Sequence, residues 1–479
     1  DGFANHPSVW WFVGSPTDAN CELLALVGMG LSALTIFGWH SHLALAALWC
    51  LYFSIVTLAE STSFYQYGWE SQLLETGFLC IFLCDFRLVP LDRRHSPPSP
   101  AALWLLRWLC FRISLGAGLI KIRGGSCWAA KTCLFYHFET QPIPSPASFI
   151  FHFLPKPLLS RAVDLDLFVQ LYTSWAVLVP GWTWHLRCIR RAAGLVQAGF
   201  MINIMLSGNF AFLNHLTVIP ALACLDDSCW PRFMRAHRFP KPAPAVARLA
   251  RRLVDLALVA TVAALSWPVV ANLLQLNGSR QAMNASFGRF RLVNTYGAFG
   301  SVGEKRFEPI VQVSHDGLTW HELDFPCKPG TVTRRPCFCA PYHYRLDWNI
   351  WFLGFEPHRG MLESRETWLY HLLVKLLRDD AQALSLLDPS AASGPGFNRR
   401  ETGQGAPPFR AAPRFAKVDM FHYEMARPLW ELVGRKGGGG GGETGPPAWW
   451  RRNFKESLVP AVQLDGSGEW LERMHIEQG

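Results

Sequence analysis

Several chemical signatures are missing from this 479-residue sequence, and each absence removes a class of function. No serine sits at the centre of a GxSxG motif, so the nucleophile signature of an α/β-hydrolase is missing. P-loop, HExxH and EF-hand patterns are absent, and no CxxC pair supports a thioredoxin-type oxidoreductase. The net charge of +9 comes without a basic stripe interleaved with aromatics, which argues against a nucleic-acid partner. We therefore expect a protein that is not an enzyme and binds no cofactor.

Charge is scarce in the composition. Only 17% of the residues are charged, whereas 50% are hydrophobic and the mean hydropathy is +0.12. This mix is too apolar for an ordinary soluble protein and excludes intrinsic disorder for most of the chain. The apolar residues are concentrated between residues 21 and 276. We predict a polytopic α-helical membrane domain over 21–276, followed by a water-soluble part.

Apolar runs that approach the ~20 residues needed to cross a bilayer define the candidate spans. The clear candidates are 21–39, 42–59 and 253–276. The weaker candidates, each of which carries at least one charge, are 73–89, 101–120 and 163–182. Residues 195–225 are too long for one helix and too short for two spans. We predict a broken hairpin over 195–225.

Arginine and lysine cluster in three short loops, near residues 87–94, 187–191 and 232–252. The positive-inside rule places such loops in the cytosol. Threading the spans under this constraint puts the loop 121–162 and everything after residue 277 on the other side, which is the lumen if the membrane is the endoplasmic reticulum. Because the chain begins with Asp1 and not Met, we expect residues 1–20 to be a luminal stub whose upstream segment is missing.

The pattern changes after residue 286 to short alternating runs that are typical of strands. Residues 306–314 and 318–325 flank an Asp-Gly pair, which predicts a hairpin. A helix with an apolar stripe is expected over 361–387. We predict a luminal, β-rich, sandwich-like domain over 286–387, whereas the Pro-rich and Gly-rich stretches predict linkers and a tail over 388–479.

Cysteine is the most informative polar chemistry in the sequence. Of the 13 cysteines, five fall on the predicted luminal face, and these are Cys127, Cys133, Cys327, Cys337 and Cys339. Because an oxidising lumen favours disulfides, Cys127 and Cys133 form one candidate pair, and Cys327 forms another with Cys337 or Cys339. The third member of the later trio would be a free or exchangeable thiol. A zinc site is less favoured because a second close pair of ligands is missing.

Two N-glycosylation acceptor patterns follow the last candidate span, at Asn277 and Asn284. Their use would confirm a luminal side for this part of the chain. Both lie very near the membrane, where access for the modifying enzyme is restricted.

Four charged residues lie in or beside apolar segments, where charge is costly and marks a structural or functional role. They are Glu75, Arg107, Arg112 and Lys121. A buried Glu75 paired with Arg107 or Arg112 would hold helices together. Lys121 either extends its ammonium group to the membrane boundary or serves as a desolvated base.

Six ordered blocks of sequence resemble the lipase maturation factor family. They occupy residues 67–83 (YGWESQLLETGFLCIFL), 107–128, 136–146 (YHFETQPIPSP), 207–227, 292–302 (LVNTYGAFGSV) and 327–352. The resemblance implies a multi-pass endoplasmic reticulum membrane protein that is required for the folding, dimer assembly and secretion of active lipases. Its expected partners are secreted dimeric lipases such as lipoprotein lipase and hepatic lipase, endoplasmic reticulum chaperones and oxidoreductases, and membrane lipid.

A luminal maturation factor needs a surface that recognises incompletely assembled client, and we expect it within residues 292–352. Aromatic residues dominate the binding energy of interfaces. The candidate client-binding aromatics are Tyr296, Phe299, Trp320, Phe338, Tyr342, Tyr344, Trp348 and Trp351. The alternative is that these side chains fill the core of the β-rich domain.

Two other functions stay open from the sequence. The helix that contains GAGLIKI (residues 116–122) is similar to the region of vitamin K-dependent carboxylase that holds an essential lysine, so Lys121 would be the catalytic base of a membrane enzyme. The second is a redox helper in oxidative folding, which moves disulfides through the later cysteine trio or recruits an oxidoreductase.

Overall fold

The computed structural model describes residues 8–39, 41–58, 63–65, 67–84, 98–232, 245–276, 278, 280–355, 367–388, 412–427 and 447–464. The chain divides into two compact units. The first comprises Asp1–Lys131, Arg161–Asn203 and Phe212–Ser301, and the second comprises Thr132–Ser160, Ile204–Ala211 and Val302–Gly479. Each unit is therefore assembled from segments that are distant in sequence.

The described helices are, in chain order, α1 (Trp10–Val13), α2 (Asp18–Ile36), α3 (His42–Leu58), α4 (Gly68–Ile81), α5 (Pro100–Arg123), α6 (Ser126–Ala129), α7 (Leu134–Thr140), α8 (Ser148–His152), α9 (Lys156–Phe168), α10 (Ser174–Ala176), α11 (Trp184–Ser207), α12 (Leu213–Leu222), α13 (Ala245–Leu273), α14 (Arg345–Phe352), α15 (Thr367–Leu377) and α16 (Ala381–Ser385). Short 3₁₀ turns cover Ser63–Tyr65 and Asp227–Cys229, and a π-helical turn covers Val169–Thr173.

Within the described residues, three helices of the first unit are long and apolar enough to cross a membrane, and these are α2, α5 and α13. They overlap the predicted spans 21–39, 101–120 and 253–276. Helix α2 buries only Leu24 and exposes most of its other apolar side chains. Helix α5, in contrast, is mostly buried and lies at the centre of the unit, in contact with α4, α12 and α13. The apolar exterior is what a bilayer requires of a spanning helix.

The predicted span 163–182 is helical as far as Ala176, and a π-helical turn interrupts its α-helical geometry. Helix α9 ends at Phe168, the π-helical turn follows, and α10 ends at Ala176. The turn packs against α5, where a Cβ atom added to Gly118 would overlap the side chain of Leu171. A wider helical turn at a close helix contact is a common form of local adjustment in α-helices.

The region predicted as a broken hairpin, 195–225, contains the end of α11 and all of α12. Helix α11 runs without interruption to Ser207, and α12 begins at Leu213. Residues 204–211, which comprise the last turn of α11 and most of the connection to α12, belong to the second unit. The interruption at the Ser-Gly-Asn sequence is therefore a connection between two helices.

The described residues of the second unit form one antiparallel sheet in the order β2-β1-β3-β4. Its strands are β1 (Arg306–Ser314), β2 (His321–Leu323), β3 (Phe415–Met425) and β4 (Trp450–Val462). The predicted hairpin is present, with Val311 opposite Leu323. The described residues form one sheet and not the two sheets of a sandwich. Phe149 of α8 packs on this sheet among Ile310, Tyr423 and Trp450.

Strands β3 and β4 come from the stretch 388–479, which the sequence assigned to linkers and a tail. Strand β3 pairs with β1 over the whole length of β1, from Arg306 opposite Tyr423 to Ser314 opposite Phe415. The run Gly437–Gly442, which read as a linker, lies outside the described residues. The predicted helix 361–387 is seen as α15 and α16, and its first residues, 361–366, also lie outside them.

A buried ionic group fixes the start of β1 within the second unit. The carboxylate of Glu308 pairs with the guanidinium of Arg306 and lies 3.0 Å from the Lys328 Nζ atom. The Arg306 guanidinium also donates to the carbonyl oxygens of residues 139, 141 and 142. Buried charges persist in proteins when they are paired and hydrogen-bonded in this way.

Candidate functional site

Glu75 and Arg112 form an ion pair inside the helices of the first unit, and both side chains are buried. The second Glu75 oxygen, Oε2, accepts hydrogen bonds from the Asn294 backbone N–H at 3.0 Å and from the Tyr296 hydroxyl at 2.7 Å. Arg112 Nη1 donates to the Asn294 carbonyl oxygen at 2.7 Å. This network joins α4, α5 and the polar segment that follows α13.

Arg107 was the other sequence candidate for pairing with Glu75. Its Nε atom donates instead to the Ala223 carbonyl oxygen at 2.7 Å, beyond the end of α12. Asn294 is the residue that sequence reasoning missed. The signal was available in principle, because a buried carboxylate with four acceptor positions needs more donors than one arginine supplies.

Lys121 is buried near the end of α5 and bonds to a residue that the sequence did not single out. Its Nζ atom lies 2.8 and 2.6 Å from the two carboxylate oxygens of Asp166 in α9. It also lies 4.6 Å from the ring centroid of Trp128, a cation–π contact. Because the Lys121 ammonium group is already engaged by a carboxylate and an aromatic face, its contacts favour a structural role over that of a base.

The end of α5 is in close backbone contact with the segment that contains Phe299. Gly125 N–H donates to the Gly300 carbonyl oxygen at 2.8 Å, and Trp128 Nε1 donates to the Phe299 carbonyl oxygen at 2.8 Å. A Cβ atom added to Gly124 would overlap the Gly300 carbonyl oxygen. Phe299 is thus half-buried in this contact and does not stand free as an interface residue.

The cysteine loop, which we define as residues 327–344 of the second unit, is held at its base by a disulfide. Cys327 is bonded to Cys337 with a Cα–Cα distance of 5.6 Å, and Cys339 is a free thiol. Asn209 holds the same part of the loop, because its Nδ2 donates to the Cys337 carbonyl oxygen at 2.9 Å and its Oδ1 accepts from the Cys339 N–H at 3.0 Å. Asn209 was not identified from the sequence.

Asp347 of α14 lies beneath this loop and is buried. Its Oδ2 atom accepts the backbone N–H groups of Cys327 and Lys328, both at 2.8 Å. Burial raises the pKa of this carboxyl to about 6, against the effect of the two N–H donors. Burial, and then the nearby Asp347 charge, raise the pKa of the Cys339 thiol to about 12. The thiol is therefore protonated at neutral pH.

Most of the predicted client-binding aromatics are engaged inside their own unit. Tyr296 is 4% exposed and Trp348 is 6% exposed. Trp351 Nε1 donates to the Thr140 carbonyl oxygen, and Lys417 Nζ lies 4.6 Å from the Trp320 ring centroid. The half-buried Tyr344 packs edge-on against Tyr342 at 4.8 Å between centroids.

Two aromatic side chains of the cysteine loop point to solvent. Phe338 is 69% exposed and Tyr342 is 64% exposed. Both follow the disulfide closely in sequence, and Asn209 fixes the backbone between them. The loop therefore presents two large aromatic groups from an ordered base, which lowers the entropic cost of binding a partner.

The remaining predicted sites are placed as follows. Cys127 and Cys133 are buried, and each is disulfide-bonded. Asn284 is half-buried and accepts the Gly297 N–H at 3.3 Å, whereas Asn277 lies outside the described residues. In the part of the chain that the structure describes, the later cysteine trio is a group with metal-ligand spacing, but its disulfide uses two of the three sulfurs.

These features define a class of protein, a membrane protein with an apolar helical unit and a second unit that carries a disulfide-anchored aromatic loop. Residues 1–232 match the model of the lipase maturation factor transmembrane domain, and residues 292–460 match that of the lipase maturation factor C-terminal domain. The chain belongs to the lipase maturation factor family.

Curated relatives agree with this assignment. The chain is 39% identical to human lipase maturation factor 1 over 89% of its own length and 74% of the relative's, and 38% identical to the bovine protein over 89% and 75%. It is 25% identical to Xenopus laevis lipase maturation factor 2 over 96% and 75%. No solved structure matches the chain.

Proposed function

We propose that this chain is an endoplasmic reticulum membrane protein that promotes the folding, dimer assembly and secretion of active lipases, including lipoprotein lipase and hepatic lipase. Family membership and the similarity to proteins named lipase maturation factor 1 support this proposal. The clients would also be handled by endoplasmic reticulum chaperones and oxidoreductases. The protein would act by binding incompletely assembled lipase and not by catalysis.

We infer that the second unit is luminal. The arginine-rich stretches near residues 187–191, in α11, and 232–252 favour the cytosolic side. The segments 132–160 and 204–211 belong to the same compact unit as the C-terminal sheet. The segment 132–160 falls within the loop 121–162, which the charge rule places opposite the cytosol together with everything after residue 277. A luminal assignment for all of them is therefore self-consistent.

The observation that carries the proposed function is the exposure of Phe338 and Tyr342 on the cysteine loop. Large exposed aromatics on an ordered loop are typical of binding hot spots. The other predicted aromatics are buried, half-buried or engaged in contacts within their own units. We propose that these two side chains bind apolar surface that a lipase exposes before its assembly is complete.

The direct test is a co-precipitation experiment with the full chain in membranes. The double variant Phe338→Ala/Tyr342→Ala should retain several-fold less immature lipoprotein lipase than the wild type. Leu318→Ala is the matched control, since Leu318 is 86% exposed in the same unit but lies at the β1–β2 connection. Equal retention by the double variant and the wild type would contradict the proposed client surface.

The carboxylase-like alternative would require Lys121 to give up the contact with Asp166. Lys121→Arg preserves the charge, and Lys121→Ala removes it, so the two variants separate pairing from base catalysis. If both restore lipase activity in deficient cells, catalysis by this lysine is excluded. We expect Lys121→Arg to be the better tolerated of the two.

A further inference from the structure

Three cysteine sulfurs of the cysteine loop lie within 4.8 Å of one another. Two of them form the Cys327–Cys337 disulfide, and the third is the free thiol of Cys339. Thiol–disulfide exchange occurs when a thiolate attacks a neighbouring disulfide sulfur, and it needs no external oxidant. The three sulfurs are close enough for exchange after a small movement of the loop.

We propose that Cys327, Cys337 and Cys339 form an internal thiol–disulfide exchange centre, in which Cys339 replaces Cys337 as the partner of Cys327. The deprotonated Cys339 sulfur attacks the Cys327 sulfur, and the bond from Cys327 to Cys337 breaks as the new bond forms. Cys337 leaves as a thiolate and takes up a proton, which balances the proton lost from Cys339. One disulfide and one thiol are present before and after the step.

The exchange would move the anchor of the loop across an exposed aromatic residue. Phe338 lies between the two alternative partners, so the tether shifts by two residues, or about 7 Å of extended chain. Asn209 holds the present arrangement through the Cys337 carbonyl oxygen and the Cys339 N–H. Any effect of the shift on client binding rests on the proposed function, whereas the exchange itself does not.

The surroundings of Cys339 slow its reaction with the disulfide. Its thiol is half-buried, and burial together with the Asp347 carboxylate keeps the thiol protonated at neutral pH. Exchange rates follow the thiolate fraction, so spontaneous exchange should be slow. A test must therefore allow hours of equilibration.

The experiment maps free thiols in the full chain, purified in detergent and equilibrated in a glutathione redox buffer. Acid quenching, differential alkylation and peptide mass spectrometry report the labelling of each cysteine. Wild type should show several-fold more labelling of Cys337 than Cys339→Ser, in which internal exchange is impossible. Equal labelling of Cys337 in the two proteins would overturn the proposal. The disulfide-bonded Cys127 and Cys133 serve as the internal reference for general reduction.

A second variant keeps the proposal falsifiable if Cys339→Ser fails to fold. In Cys337→Ser, oxidised glutathione should drive formation of the Cys327–Cys339 disulfide, seen as a cross-linked peptide. Free thiols on both residues in the same buffer would overturn the proposal. Because the readout is sulfur pairing, this result is independent of whether the protein binds a lipase.

Discussion

The two units use polar and apolar side chains in opposite ways. In the first unit, apolar side chains of α2 and α13 face outward, while Glu75, Arg112 and Lys121 are buried among helices. In the second unit, apolar side chains such as those of Ile310 and Tyr423 lie beneath the sheet. The exterior of the first unit suits lipid, and that of the second suits water.

The buried charges show what the two units share. Each unit contains a buried carboxylate with a paired arginine, Glu75 with Arg112 in the first and Glu308 with Arg306 in the second. In both, the arginine also donates to backbone carbonyl oxygens of a distant segment. Buried ionic groups therefore tie sequence-distant segments together in both units, whatever surrounds the unit.

The largest loss of stability is expected when the Glu75–Arg112 ion pair is broken. Arg112→Met leaves Glu75 buried without its cationic partner, which should cost about 3–5 kcal/mol of stability in the first unit. The loss can be measured as faster alkylation of the buried Cys110 thiol in detergent. The double variant Glu75→Leu/Arg112→Met removes both charges and should recover part of the loss. If Arg112→Met alone were as stable as the wild type, the buried ion pair would not hold the first unit together as it is proposed to do in both units.

A pH-dependent effect is expected in the second unit at Asp347. Burial raises its pKa from the ordinary 3.8 to about 6, so its contribution to stability is fully present below pH 3.8 and is lost as the pH rises through 6. The stability of wild type relative to Asp347→Asn should therefore fall by about 2 kcal/mol between pH 4 and pH 7. Pulse proteolysis in urea, in which the cleavage of the second unit is followed, measures this difference. A stability difference between the two proteins that stays constant from pH 4 to pH 7 would contradict a raised pKa for Asp347.

A smaller loss of stability is expected when close backbone packing in the first unit is disrupted. Gly124→Ala places a methyl group against the Gly300 carbonyl oxygen and should cost about 1–3 kcal/mol, because the contact is with backbone that must move. Gly30→Ala is the control, since nothing lies within 4 Å of that position in α2. Thermal unfolding in detergent should separate the two variants, and equal midpoints would show that the contact at Gly300 is not tight.

The smallest effect is expected at the exposed ion pair of Lys131 with Asp164. The two side chains are 51% and 44% exposed at 2.7 Å. Asp164→Asn should change stability by about 1 kcal/mol or less, and the change should vanish in high salt. A loss as large as that of Arg112→Met would remove the distinction between buried and exposed pairs.

The sequence predicted the features that depend on local pattern. The apolar run 101–120 corresponds to α5, and the Asp-Gly hairpin corresponds to β1 with β2. Strands β3 and β4 could not be predicted, because β3 pairs with β1 across more than 90 residues and lies in a stretch with weak local signals. Composition also could not tell the buried Tyr296 from the exposed Tyr342, since burial depends on long-range partners such as Glu75.

The candidate site was identified in outline from the sequence. The cysteine trio and the aromatic residues around it were visible as a local cluster, but the choice of Cys337 as the partner of Cys327 depends on the folded backbone. Asn209 and Asp166 were missed because each acts on residues that are distant in sequence. No spacing rule connects such polar partners before the fold is known.

We propose that the exposed aromatics of the cysteine loop serve lipase maturation. The most direct measurement is a rescue assay in lipase maturation-deficient cells, with secreted lipase activity divided by total lipase mass. Phe338→Ala/Tyr342→Ala, expressed at the wild-type level, should lower this ratio several-fold, while Leu318→Ala should leave it unchanged. A double variant that restores the full wild-type ratio would contradict the account.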